Sequence, residues 1–100
     1  DKATIKWPND IYINDSKITG ILVESAMKGN FMSSSIIGIG LNVNQRKFGD
    51  LVNATSVVLE TGKGCGVDMF FNELSYHLEK RYLQLKRDKN AADKEYAKAL

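Results

Sequence analysis

An α+β fold, with a mostly antiparallel sheet covered by a long amphipathic helix, is the class this sequence predicts. Two observations carry that prediction. Up to about Asn44, short β-type apolar runs alternate with turn-forming Asn, Asp, Gly and Ser residues, the pattern of a meander whose neighbouring strands pair antiparallel. From Val67 onward the apolar residues recur at three- and four-residue steps, which places them on one face of a helix. A sheet and a helix that each have an apolar face to bury combine as an α+β layer.

The elements follow in order. Ala3 to Trp7 reads as a strand, ended by Pro8, which has no N–H to give to a ladder. Asp10 to Ile13 is a second short strand with Ile11 and Ile13 alternating, and Asn14-Asp15-Ser16 is a hairpin-type turn whose side chains tolerate positive φ. Lys17 to Ala26 is a longer strand interrupted by Gly20, and Lys28-Gly29-Asn30 is the next turn. Ser33 to Asn44 is strand-like around the apolar run Ile36-Ile37-Gly38-Ile39-Gly40-Leu41. Thr55 to Glu60 suits a helical turn or a strand equally. Val67, Phe71, Leu74, Leu78, Tyr82 and Leu85 mark a helix from about Asp68 to Arg87, with Asp68 as its N-cap. The Ala- and Lys-rich stretch from Ala91 to Leu100 is predicted to be helical as well.

One hundred residues suffice for one small domain, and 43% hydrophobic with 26% charged residues is a globular composition. A net charge of +2 with scattered lysines does not point to nucleic acid. A single cysteine, Cys65, excludes an intramolecular disulfide, and with only His77 beside it no structural zinc site can be assembled. That usage fits a reducing, cytoplasmic setting. No apolar run reaches membrane-spanning length and no signal-like start is present, so neither a membrane nor a secreted location is expected. The chain begins at Asp1 with a strand-like run almost at once, and reads as a single partial domain of something longer.

Several motifs carry chemistry only on a first look. Gly38-Ile39-Gly40-Leu41-Asn42 lacks the third glycine and the following helix of a dinucleotide loop. Its glycines either let another backbone approach closely or leave room for a flat ligand, toward which Asn42 would turn a donor and an acceptor. Thr61-Gly62-Lys63-Gly64 lacks the spacing and the Ser/Thr of a Walker phosphate loop and reads as a plain loop. Helical His77, beside the apolar stripe, reads as surface or boundary filler, and glycine-flanked Cys65 has no nearby histidine or basic pair to activate its thiol. Asp10 and Lys17 stand apart because they flank a tight turn between two strands and can meet across it. That pair is either a surface salt bridge or a cation poised against developing negative charge, with Asp10 to orient it or to hold a metal and Asn9 as a fixed amide beside them.

Four blocks together resemble a known family. Lys6-Trp7-Pro8-Asn9-Asp10 comes first, then Lys17-Ile18-Thr19-Gly20-Ile21-Leu22-Val23-Glu24. Ile37-Gly38-Ile39-Gly40-Leu41-Asn42-Val43-Asn44 and Ala54-Thr55-Ser56 follow, in the order found in biotin protein ligase catalytic domains. Trp7-Pro8 before Asn9 and the Ile-Leu-Val-Glu run after Gly20 resemble the biotin branch rather than the related lipoate ligases. The resemblance implies a fold related to class II aminoacyl-tRNA synthetases and a two-step reaction. Biotin's carboxylate attacks the α-phosphate of ATP, with Mg2+, to give biotinyl-5′-AMP, and a lysine of a biotin carboxyl carrier protein then takes the biotinyl group.

Carried over by motif position, Lys17 contacts the biotin carboxylate and the phosphate, and Asp10 with Asn9 orders that lysine and the nucleotide or metal. Lys6 adds positive charge, Gly20, Gly38, Gly40 and Asn42 line the adenylate slot with Asn42 facing adenine, and Trp7 is a packing anchor beneath the site. The family's Gly-Arg-Gly-Arg-type loop and the Ser/Thr residues that grip the ureido ring lie upstream of these blocks, and any C-terminal SH3-like domain lies beyond them. These 100 residues are therefore expected to be the second half of a catalytic domain, inactive alone. The resemblance also implies a homodimer built through sheet edges. It implies nucleic-acid binding only for a parent with an N-terminal helix-turn-helix. The competing expectations are a non-catalytic binding or assembly module, and a lipoate-ligase relative.

Overall fold

A computed structural model of the protein describes residues 3–50 and 53–100. Four strands, β1 (Ala3–Lys6), β2 (Asp10–Ile13), β3 (Ser16–Lys28) and β4 (Phe31–Leu41), form one sheet in the order β1-β2-β3-β4 with every neighbouring pair antiparallel. The turn chemistry explains the connections. Asn14 takes the left-handed conformation (φ 54°) between β2 and β3, as Gly29 does (φ 64°) between β3 and β4. Strand β1 ends at the cis Trp7–Pro8 peptide.

The β2–β3 register holds the feature that matters most for the site. Asp10 pairs with Gly20 and Ile11 with Thr19, but Tyr12 pairs with Lys17, so Ile18 is an extra residue with no partner on β2. In a regular strand Lys17, Thr19 and Ile21 would share one face and Gly20 the other. One inserted residue reverses that alternation. Lys17 is thereby turned onto the face of its partner Tyr12, which is also the face of Asp10 and Gly20.

The stretch Thr55 to Glu60 turns out helical from Val57 onward, shortly after a single bridge residue. Ala54 makes a parallel bridge to Lys17, and helix α1 (Val57–Thr61) then begins, with Ser56 as its N-cap accepting from the Leu59 N–H. Gly62, in the left-handed conformation (φ 75°), closes it, which is the work the Thr61–Gly64 loop performs. Among the described residues the apolar core is small: Ile18 and Val58 are buried, together with Thr19, Thr55 and Ser56. It lies where the start of β3 meets the lead into α1.

Two further helices follow, α2 (Val67–Arg87) and α3 (Lys89–Ala99). The α2 N-cap is Gly66 and not Asp68, which falls inside the first turn, where its charge favours the helix dipole instead of capping a backbone N–H. Helix α3 is capped by Asp88, whose carboxylate accepts from the N–H groups of Asn90 and Ala91. It packs on α2, with Arg81 and Glu95 paired at 2.8 Å, and on β1. The apolar stripe of α2 forms at the expected spacing, but Val67, Phe71, Leu78, Tyr82 and Leu85 on it are exposed. The outer part of the β3–β4 ribbon is open on both faces, since Leu22, Val23, Met27, Phe31, Met32, Ile36 and Ile37 are all exposed. No helix among the described residues is long and apolar enough to cross a membrane.

Candidate active site

The site assembles on the sheet face to which the bulge turns Lys17. Cross-strand partners share a face and residues two apart along a strand return to it. Asp10 opposite Gly20, Gly20 opposite Gly40 and Leu22 opposite Gly38 therefore define one continuous surface. Lys6, opposite Asp10, belongs to it too, and its Nζ lies 5.0 Å from the centre of the Tyr12 ring. Three of these positions carry no side chain, so the floor beside the charged groups is bare backbone. A Cβ on Gly38 would meet the Leu22 carbonyl at 3.7 Å, and one on Gly40 the Gly20 carbonyl at 3.9 Å. Neither glycine is required for strand packing, and their effect is to keep the floor flat.

Lys17 Nζ and Asp10 Oδ1 are 3.3 Å apart, with both side chains only part-shielded from solvent. Gly20 makes space for the pair, because a Cβ there would lie 3.4 Å from Lys17 Nζ and 3.5 Å from Asp10 Oδ1. The Lys17 backbone is fixed on its other side. Its N–H donates to the Asn53 carbonyl at 2.8 Å, and its carbonyl accepts from the Thr55 N–H at 2.9 Å. The cation therefore leaves a strand that is hydrogen-bonded on both edges, while its own head remains accessible.

Beside the pair opens a cleft of about 740 Å³ whose walls include Tyr12, Lys17, Gly20, Gly40, Asn42 and Phe48. A drug-sized ligand typically occupies a pocket of roughly 300–1,000 Å³. Asn42 closes one end. Its Nδ2 donates to the Thr55 carbonyl at 3.1 Å, and its backbone carbonyl accepts from the Val57 N–H. Lys17, Gly20, Gly40 and Asn42 thus line one cleft.

The other expected residues lie around it. Asp10 reaches Lys17 from a second, more apolar hollow of about 520 Å³, which Asn9, Ile21 and Tyr96 also line. Asn9 acts there through its backbone, accepting from the Ile21 N–H at 2.8 Å. Gly38 sits further out on the floor and Lys6 at its β1 edge. Trp7, expected to anchor packing beneath the site, is 72% exposed and anchors nothing among the described residues.

Sequence reasoning missed Tyr12, Gln45, Phe48, Asp50 and Asn53 as cleft residues. Tyr12 was accessible, since it lies on the Asp10 face at two-residue spacing. The others come from the irregular segment after β4, where no periodicity shows which way a side chain points. His77, on α2, is exposed, 3.8 Å from Glu73 and edge-on to Tyr76. Half-buried Cys65 is held through its backbone: Asn44 Nδ2 donates to its carbonyl at 2.8 Å, and its N–H donates to Asn44 Oδ1 at 3.2 Å. Among the described residues no three His, Cys, Asp or Glu side chains gather as a metal site.

Comparison with known proteins finds similarity in both sequence and fold. Residues 1–42 match the model of the biotin/lipoate A/B protein ligase family. The bifunctional ligase/repressor BirA of Bacillus spizizenii is 40% identical over 85 residues, which cover 81% of this chain and 26% of that protein. In fold, the chain is similar to the apo structure of the biotin protein ligase from Aquifex aeolicus, with a TM-score of 0.72 and 28% identity over 86% of this chain and 38% of that one. A mutant of that enzyme in complex with biotin matches with the same TM-score, over 36% of its length. The sequence and fold matches together point to the biotin/lipoate ligase class. Within that class, the relatives and the solved structures support a stretch of a biotin protein ligase. The chain spans about a quarter of the length of the BirA relative.

Proposed function

We propose that these residues form the lysine and adenine side of the active site of an ATP-dependent biotin protein ligase, which joins biotin to a specific lysine of a biotin carboxyl carrier protein through biotinyl-5′-AMP. The observation that carries this reading is the Lys17–Asp10 pair, turned by the bulge onto a glycine floor beside a ligand-sized cleft. Activating a carboxylate with ATP brings two anions together, and the entering oxygen and the α-phosphate share negative charge in the transition state. A cation fixed through its backbone offsets that charge without reorganising. Lys17 fills this role, Asp10 aims it, and Lys6 adds a second positive charge at the floor's edge. The bare floor over Gly20, Gly38 and Gly40 accepts a flat ring system, and Asn42 meets the adenine. In the second step Lys17 stabilises the adenylate's phosphate as AMP leaves and the carrier lysine's amine takes the acyl group.

Magnesium accompanies ATP in this chemistry as a charge shield on the phosphates. The described residues build no cage for it: Asp10 is committed to Lys17, and no further His, Cys, Asp or Glu side chains gather as a metal cluster. No step here runs through the metal. The residues upstream that complete a biotin pocket in this family are needed for turnover, so the 100 residues alone are expected to be inactive.

The test is exchange of labelled pyrophosphate into ATP by the full-length protein, which should depend on biotin. Exchange with lipoate in place of biotin would move the protein to the sister branch that the same family model covers. No exchange with either would leave a binding module. Lys17→Ala should abolish exchange while the protein stays folded, since a part-exposed ion pair contributes only about 0–1 kcal/mol to stability. Unchanged turnover would remove Lys17 from the mechanism.

A further inference from the structure

Thr55 is buried, and three of its polar groups are committed. Its N–H donates to the Lys17 carbonyl at 2.9 Å, its carbonyl accepts from Asn42 Nδ2 at 3.1 Å, and its hydroxyl donates to Glu60 Oε2 at 2.5 Å. One residue therefore touches both the strand that carries the cation and the amide that closes the cleft. Glu60, its anchor, lies on α1, and that helix is pinned in turn. The fully buried Ser56 donates to the Gln45 carbonyl and caps the Leu59 N–H.

This arrangement fixes the orientation of the Asn42 amide. A free amide offers two donors on nitrogen and an acceptor on oxygen. With one Nδ2 hydrogen directed at the Thr55 carbonyl, the amide has a fixed orientation, and Oδ1, with no protein partner among the described residues, is free to accept from a ligand beside the second Nδ2 hydrogen. An acceptor suits a purine with an exocyclic amine and disfavours one with a carbonyl in the same place. Discrimination is large where the bound ligand buries such a polar group, because the wrong partner then leaves it unpaired.

We infer that Glu60, acting through Thr55, is a positioning residue that holds the Asn42 amide in one orientation, with its oxygen free to accept, and so makes the site select a 6-amino purine over a 6-oxo purine. The inference rests on the ligase reading only for the identity of the reaction. Glu60 touches no substrate; it holds the residue that holds the amide.

The experiment uses the full-length protein with biotin saturating, and ATP or ITP as the nucleotide in pyrophosphate exchange. Glu60→Ala and Thr55→Val should each raise the KM for ATP about tenfold and lower the ATP-to-ITP preference by a similar factor, the scale of one hydrogen bond to a charged group. The KM for biotin should not move. Glu60→Gln and Thr55→Ser, which keep an acceptor and a hydroxyl, should restore most of the preference. Biotin and ATP constants that worsen together at unchanged ATP-to-ITP preference would reduce the pair to a structural support and overturn the inference, as would wild-type behaviour of both variants.

A second readout needs no turnover. The Asn42 side-chain amide protons, followed by NMR in the 15N-labelled protein without ligands, should exchange slowly in the wild type and faster in Glu60→Ala. If the wild type fails in exchange with biotin, the ligase reading falls by itself. The positioning role then stands or falls on the NMR result, and fast exchange already in the wild type would overturn it.

Discussion

Gly20 faces Asp10 across the β2–β3 ladder and Gly40 across the β3–β4 ladder, so any side chain placed there projects between the ion pair and the floor. A single Cβ makes ordinary contact with Lys17 Nζ at 3.4 Å, so alanine fits. The γ-methyl groups of valine do not, and must push Lys17 or Asp10 aside. Gly20→Val should therefore cut biotin-dependent exchange by on the order of 10- to 100-fold, the scale of a misplaced catalytic group, with Gly20→Ala much milder. Equal activities of the two variants would show that this floor is not occupied. At this scale the sequence was most informative where a residue type has a single use. Lys17, Asp10 and Gly20 were legible because a cation, a carboxylate and a glycine near one turn have few joint explanations. Trp7 was misread because a lone tryptophan beside a strand suggests burial, whereas this one is exposed.

Among the elements, α2 starts without a side-chain cap. Gly66 is extended (φ −68°, ψ 130°), and a Cβ there would meet nothing within 4 Å. Gly66→Ser should stabilise the protein by about 0.5 kcal/mol through a new cap and a less flexible unfolded chain, measurable as a shift in the denaturation midpoint. A loss of stability would mean that the Asn44 clamp on Cys65 tolerates no change at the helix entry. Periodicity made the strands and α2 readable to within a few residues. It left Thr55–Glu60 undecided because the single bridge at Ala54 and the five-residue helix Val57–Thr61 are too short for either repeat to show. The fine structure of the site depends on that stretch, since Thr55, Ser56 and Glu60 reach the cleft through hydrogen bonds that no spacing rule encodes.

At the scale of the whole molecule, the described residues bury little apolar surface among themselves. The β3–β4 ribbon and the long face of α2 stay open, and among the described residues β1 and β4 are the edges of the sheet. Large exposed apolar patches and free edges favour association. The edge-to-edge homodimer expected from the resemblance should appear in sedimentation velocity of the full-length protein as a concentration-dependent dimer, weakened by Ile37→Lys on β4. A clean monomer at high concentration would count against it. The unpaired Ile18 bears on the molecule in another way, as a constraint on chain length. Lys17 points into the site only while an odd residue separates it from the regular register, so the distance in sequence from Asp10 to Lys17 has a parity. The turn between them can exchange one residue for another with little consequence. Losing a single residue there would deliver an intact lysine to the apolar face of the same sheet, with the composition of the site unchanged and its charge on the wrong side.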